Sequence, residues 1–328
     1  MRTTLPLPQQ PGFQLVLPER LRFAPDTLIE QTLDGVRISR NEVILTITIP
    51  GPARMAFITR ATDPSAYFES LRLAPVWRQL LQKCAAQGLM SDATRAVTAE
   101  FPVSAIDAIR LLRDRMHEVS TRSFGPGHPF GSFAQGGYSR SAAARWIVQN
   151  YHYTKSAPHH ISPLFRHAMD EEERALWTRF LKDESWHWRI YRPILGELGM
   201  SFEDVDACAV HPATHAFIEA LRSCAANSIA AYAAALMFAE LPPTVDTLDQ
   251  DPLYGALVAH YGFRHTSVRP LWWHSMENLE AGHSDLAAVV LSRRRSLSPD
   301  ELAQALNGLT RTIQAVSSWH QGVLSADS

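Results

Sequence analysis

Cysteine is scarce. Cys84, Cys208 and Cys224 are the only three in 328 residues, and they are far apart. They form neither a disulfide framework nor a CxxC site. Neither sign of charge is in excess: 31 Lys+Arg face 33 Asp+Glu, a net charge of −2. That balance leaves no basic footprint for nucleic acid or for an anionic membrane. Long hydrophobic runs are also missing. The longest, from Ile229 to Ala239, is too short to cross a bilayer. The N-terminal MRTTLPLPQQPGF has no apolar core followed by a small-residue cleavage site, so no signal peptide is expected. No GxGxxG after a strand, P-loop or GxSxG occurs. What remains is a globular enzyme or binding protein, expected in the cytoplasm, with neither nucleic acid nor membrane as partner.

Histidine is absent from residues 1–116, which also contain only one tryptophan, Trp77. From Trp146 onward there are 12 histidines and 7 tryptophans. The contrast implies two differently built halves, with ligand-type side chains collected in the second.

The first half reads as α+β. Val36–Ser39, Glu42–Ile49 and Arg54–Thr59 are rich in Ile, Val and Thr and are expected as strands, separated by Arg40-Asn41 and Pro50-Gly51-Pro52. Asp63-Pro64 is expected to start a helix. Val76–Gln87 is amphipathic, with Val76, Leu80, Leu81 and Cys84 on one face, and Gly88 closes it. The pattern predicts a winged-helix-like module over residues 1–118. Residues 119–140 hold five of the 16 glycines and read as a linker or a loop over an active site. Residues 141–328 read as a helical domain. Its expected helices are Ser141–Ser156, Ser162–Ala168, Asp170–Leu198 with a kink at Pro193, Pro212–Leu241, Asp251–His260 and Ser267–Ser292. Ser298-Pro-Asp-Glu301 is a capping box opening a last helix to about Gln321.

Two Glu-x-x-His pairs stand out, Glu184/His187 and Glu280/His283. At i, i+3 the two side chains share a helical face. One such pair from each of two facing helices, with further carboxylates, is the construction of di-iron and di-manganese bundles. Carboxylate and imidazole together suit iron or manganese. Chance alone gives roughly one pair in a chain of this composition, so placement matters more than count. A Glu in a helix otherwise made of Trp, Leu and Ala is costly unless it is paired or bound to metal. The competing reading is a solvated face with an incidental Glu–His contact. Glu240 closes the apolar SIAAYAAALMFA and shares a face with Ala233 and Leu236. Alternatively the helix has ended there and Glu240 points to water. His152 and Tyr153 in QNYHYTKSAPHHISP are candidates to line a pocket and handle protons, or are core aromatics. His274 and Glu277 form the reversed His-x-x-Glu one turn before Glu280. Trp272 and Trp273 read as core.

The second half resembles the haem-oxygenase-like fold, and within it the non-haem di-iron oxidases and oxygenases. The resemblance covers about Ser141–Gln321. It rests on DESWHWRIYRPILGELG, AALMFAELPP and WWHSMENLEAGHSDLA, with WHQGVL near the end. The first metal-bearing helix of that family matches Glu184 and His187, and the second matches Glu240. The third carries His-x-x-x-Asp-x-x-His, whose last His is His283 and whose acid is Glu280. Its first His falls on Met276, a poor ligand for hard iron. His274 lies two residues away, roughly 200° around a helix, and would substitute if a π-bulge re-registered it. The resemblance implies two Fe(II) ions, with O2 as co-substrate. The second ion would depend on His274 or Glu277, or be absent. The expected substrate is a small amine, amino acid or fatty acid, or a carrier- or peptide-linked molecule, from natural-product biosynthesis. The N-terminal module resembles small recognition modules of peptide natural-product pathways. A homodimer is expected.

Three other readings stay open. One is a metal-free oxidase of the quinone-cofactor type on the same fold, with His152, Tyr153 and His187 moving protons. Another is a non-catalytic ligand-binding or regulatory protein. The last is a ferritin-like bundle, disfavoured because Gln149 and His152 stand upstream of Glu184 where that fold wants a Glu.

Overall fold

The computed structural model describes residues 14–49, 51–63, 65–94, 102–241 and 245–325, without the side chains of residues 52, 279–281 and 284. The chain is mainly helical, with a few small strands confined to its α+β part. Its residues group into two compact units, Met1–Glu118 with Asp285–Leu306, and Val119–Ser284 with Asn307–Ser328.

In the first unit β1 (Arg20–Phe23), β2 (Leu28–Gln31), β3 (Gly35–Arg40) and β4 (Val43–Thr48) precede α1 (Gly51–Thr62). Strands β2, β3 and β4 form an antiparallel meander. Val36, Ile38, Leu45 and Ile47 point inward, the period-2 pattern of a half-buried sheet. A Cβ on Gly35 would lie 1.7 Å from the Ile47 carbonyl oxygen, so only glycine lets β3 and β4 approach there. Asn41 makes the tight turn with φ 53°.

The third expected strand, Arg54–Thr59, is instead part of the α1 helix. Its sequence has no alternation, and Ala53, Met55 and Ala56 are helix formers. One buried side chain, Phe57, stacks on Trp77 at 5.4 Å and meets Phe23 and Phe68. Asp63 starts no described helix. Its carboxylate accepts from Ser65 N in a turn, and Pro64 lies outside the described residues.

The short β5 (Phe68–Glu69) and β6 (Met90–Asp92) flank β1 in a second sheet, with α2 (Pro75–Ala86) between them in sequence. On α2, Leu80, Leu81 and Cys84 are buried as expected, whereas Val76 is exposed. β7 (Val103–Ser104) leads into α3 (Ala105–Ser123) and pairs with the later β8 (Ser296–Leu297).

The second unit is helical. The glycine-rich stretch carries α4 (Pro129–Ala134). Then come α5 (Arg140–Lys155), α6 (Ala157–Ile161), α7 (Glu171–Glu184), α8 (Arg192–Glu197), α9 (Phe202–Ala207), α10 (Pro212–Asn227), α11 (Ile229–Ala239), α12 (Tyr254–Ala259) and α13 (His265–Ala281). α14 (His283–Arg293) and α15 (Pro299–Ser325) complete the chain. Trp177, Tyr151, Tyr232 and Phe133 are fully buried at its centre.

Three helices expected to be continuous are broken. Asp170–Leu198 breaks after Glu184, where a 3-10 turn over His187–Tyr191 takes over. Pro193 does not kink a helix; it sits in the first turn of α8, where its missing N–H costs nothing. Pro212–Leu241 breaks at Ser228, whose extended backbone and side-chain acceptance from Ala231 N start a fresh helix. Ser267–Ser292 breaks at Gly282, with φ 80°. The breaks after Glu184 and at Gly282 lie beside the site.

Candidate metal centre

The candidate ligands gather where these helices end. Glu184 is the last residue of α7, His187 opens the 3-10 turn, and Glu240 caps the C-terminus of α11. His283 is the first residue of α14. Ligand atoms of Glu184, Glu240 and His283 all lie within 4.8 Å of one another, a spacing that fits one cation. His187 Nδ1 is 2.9 Å from Glu184 Oε2, and His283 Nδ1 is 3.2 Å from Glu184 Oε1. His274 packs its ring 4.0 Å from that of His187.

Several of these contacts are close without being hydrogen bonds. Glu184 Oε1, His187 Nδ1 and His283 Nδ1 are buried and have no partner in hydrogen-bond geometry. Leaving such groups unmatched costs about 1–3 kcal/mol each. A cation on these atoms would remove the cost.

The backbone sharpens the same point. Glu184 and Glu240 sit at the C-terminal ends of α7 and α11, where the helix dipoles are negative. Two carboxylates there repel both the dipoles and each other. Burial raises the Glu240 carboxyl, with the Glu184 charge adding to it, to about 7. Burial also opposes ionisation of Glu184, but His187 and His283 beside it outweigh that and hold it well below the usual carboxylate range. Burial, with His187 next in weight, lowers His274 to about 4, so it is a neutral imidazole able to coordinate.

A cavity of about 140 Å³ opens onto this group. Glu184, Glu240 and His274 line it from one side. Tyr153, Tyr191 and Tyr254 also line it. Asn278 donates to Glu240 Oε2 at 3.1 Å and lies 3.3 Å from His274 Nε2, tying the two together.

Of the residues singled out from sequence, the structure thus brings together Glu184, His187, Glu240, His274 and His283, with Tyr153 in the cavity wall. His152 is buried beside Tyr151 rather than among the lining residues. Glu277 is exposed and accepts from Trp273 Nε1 at 2.9 Å. Met276 is not among the residues lining the cavity. The Glu280 side chain lies outside the described residues, as do Pro242 and Pro243. His274 reaches His187 without any π-turn. The break at Gly282 detaches His283 from the phase of α13, so the roughly 200° between positions 274 and 276 does not bear on whether His274 joins the group.

Sequence reasoning missed Asn278, Tyr191 and Tyr254. Asn278 was findable, since it stands four residues after His274 on the same face. Nothing local marks the two tyrosines. His160 also lines the cavity; burial pushes it down to about 4, and it is hydrogen-bonded to Tyr232 Oη at 2.8 Å.

Residues 113–249 match the model of the TENA/THI-4/PQQC family. No curated protein sequence matches the chain. Among solved structures, it is similar to a domain of unknown function with a heme oxygenase-like fold from Shewanella denitrificans OS217. That likeness has a TM-score of 0.55 at 15% identity, over 66% of this chain and 92% of the other. It is also similar to a TenA homolog from Pseudomonas syringae pv. tomato DC3000, with a TM-score of 0.50 at 12% identity, again over 66% and 92%. At such identities the likeness is one of fold. The chain has the haem-oxygenase-like fold, and over residues 113–249 it is similar to the TENA/THI-4/PQQC family.

Proposed function

We propose that this protein is an O2-dependent non-haem iron oxidase or oxygenase acting on a small molecule. One observation carries the reading. Two carboxylates and an imidazole converge within 4.8 Å at helix ends that disfavour negative charge, and buried ligand atoms there lack hydrogen bonds. Glu184, Glu240 and His283 would hold one Fe(II). His187 and His274 would hold a second. Iron supplies the one-electron and oxygen chemistry that side chains lack. The chain's own part is geometric and electrostatic. Asn278 orients Glu240, and the α7 and α11 ends set the carboxylate spacing.

Anaerobic Fe(II) loading followed by metal analysis tests this. Iron retained through desalting, about two per chain, with an absorbance that appears on admitting O2, is the expected result. No iron above background in folded protein rejects it.

A second reading has its own support. Without metal, Glu184 and Glu240 are driven apart in acidity, a pairing that suits proton transfer. Tyr153 is buried beside them, and burial followed by the Glu240 and Glu184 charges raises its phenol well above the usual value. A metal-free oxidase or hydrolase would use these groups. Full activity in iron-free protein would select it.

A further inference from the structure

We propose that the β4 edge of the first unit's meander pairs with β4 of a second copy of this chain, joining the two by one continuous antiparallel sheet. This goes beyond the metal centre and does not depend on it.

Backbone direction comes first. The two-residue turn at Asn41-Glu42 sets Arg40 opposite Val43, and the register runs unbroken to Gly35 opposite Thr48. Just beyond, Ile49 N donates to the Asp34 carbonyl at 3.1 Å. Antiparallel partners alternate between hydrogen-bonded and non-bonded pairs, so Val43, Leu45 and Ile47 turn their N–H and C=O groups toward β3. Those of Ile44, Thr46 and Thr48 face away. β4 is the end strand of its sheet, and among the described residues no hydrogen bond reaches these groups.

Natural sheets guard such edges with charge, proline, a bulge or short length. This sheet guards one edge and leaves the other open. β2 has four residues and carries the half-exposed Glu30. Its outward backbone groups belong to Ile29 and Gln31, since Thr32 N donates to the Gly35 carbonyl. Self-pairing there would set Glu30 against its own copy, like charge against like. β4 is longer, at six residues, with no proline or bulge, and the run from Val43 to Ile49 is uncharged.

Symmetry picks the occupant. A two-fold axis at Thr46 sets Ile44 against Thr48, Thr46 against Thr46 and Thr48 against Ile44. Every outward group of these residues then has a mate, about six hydrogen bonds in all. On the core face Leu45 meets Ile47, apolar against apolar. No charged residue of the paired span meets another, and Arg37, beside Thr46 on the neighbouring strand, is 3.9 Å from Glu30. Ile44 and Thr46 are half-buried and Thr48 is exposed, so the seam also removes side-chain surface from water. An unrelated extended peptide is disfavoured. Peptides that add to an edge are selected by side-chain pockets beside it, and the cavity described above is lined by none of this unit's residues. One strand pair buries less than a permanent interface does, so reversible association with a Kd of roughly 1–100 µM is expected.

Sedimentation of the full chain from ~1 to ~300 µM, with site-resolved hydrogen exchange at both ends of that range, tests the proposal. The expected result is a monomer–dimer equilibrium in which the Ile44, Thr46 and Thr48 amides exchange more slowly at the higher concentration. Thr46→Lys sets like charges on the axis, and Thr46→Pro removes a donor that the chain's own sheet does not use. Each is expected to weaken dimerisation at least about tenfold with circular dichroism unchanged. Gln31→Lys, on the guarded edge, is expected to leave it as it was. A chain still monomeric at ~300 µM overturns the proposal, as does a dimer that both Thr46 variants retain. Equal protection of the three amides at both concentrations overturns it too, as does protection that mass spectrometry traces to a co-purified peptide. Should a Thr46 variant fail to fold, the exchange measurement on the unaltered chain decides alone.

Discussion

Charge is handled differently at two places, one in each unit. In the first unit, Arg40, Lys83 and Arg113 meet partners. Arg40 Nη2 donates to Asp114 Oδ2 at 2.9 Å, Lys83 Nζ is 3.2 Å from Asp285, and the buried Arg113 donates through Nε to the Ala86 carbonyl at 3.2 Å. At the cavity of the second, Glu184, His187 and His283 crowd at 2.9–3.2 Å, with Glu184 Oε1 and both Nδ1 atoms lacking hydrogen-bond geometry. Charge around the cavity is held at a standing cost, which a functional site carries and a scaffold does not.

The largest effect that would sharpen this contrast is on metal. Glu184→Ala is expected to lower iron retention by about 100-fold with helical circular dichroism unchanged, read by metal analysis. Lys83→Met in the first unit is expected to leave iron retention as it was. If both variants lose iron equally, the contrast fails.

The packing variants act on stability rather than on metal. Trp177 is fully buried and meets Tyr232 at 5.7 Å, so Trp177→Ala is expected to cost about 3–5 kcal/mol in urea unfolding. Gly35→Ala places its Cβ against the Ile47 carbonyl and is expected to cost about 1–3 kcal/mol.

A pH effect separates the units further. His320 accepts from Trp146 Nε1 at 3.1 Å, and burial, aided by nearby His128, lowers it from 6.5 to about 3. Below pH 6.5 the unfolded chain takes up a proton that the folded chain refuses. Stability is therefore full above about 6.5 and falls as the pH drops toward 3, by at most about 1.4 kcal/mol per pH unit for this group. His320→Gln is expected to flatten the acid limb of a plot of unfolding free energy against pH. An unchanged limb would place the loss elsewhere.

The smallest effect belongs to the first unit. Ser298 Oγ accepts from Glu301 N at 3.2 Å, and Ser298 N donates to Glu301 Oε2 at 2.9 Å. Ser298→Ala is expected to cost about 1 kcal/mol by thermal or urea unfolding, with the cavity's ligand binding untouched.

Much of the fold was legible. The Ser298/Glu301 box opens α15 as its spacing requires, and Gly88, Gly199 and Gly262 take positive φ at the ends of helical segments. The β3 and β4 strands follow their alternation. The α1 helix was not legible, because β-branched Ile58 and Thr59 sit in a segment whose helicity is decided by where Phe57 packs. The break at Ser228 was marked only by one capping residue inside an unbroken apolar periodicity. Likewise, the Glu–His pairs were visible, yet neither works as a pair on one continuous helix. Glu184 and His187 straddle a helix end, and His283 lies beyond Gly282.

By itself the sequence determined which residues can carry chemistry, since only carboxylates and imidazoles offer those donors and they are few in an apolar context. It also determined helix-rich architecture, through periodicity and caps that act within a turn or two. Only the tertiary structure decided that His274 joins His187 while Glu277 faces solvent, and that Tyr153, Tyr191 and Tyr254 line one cavity. Those tyrosines are up to about a hundred residues apart in sequence, and no local propensity couples them. Their meeting is a property of packing, which turns separate chain segments toward one small volume.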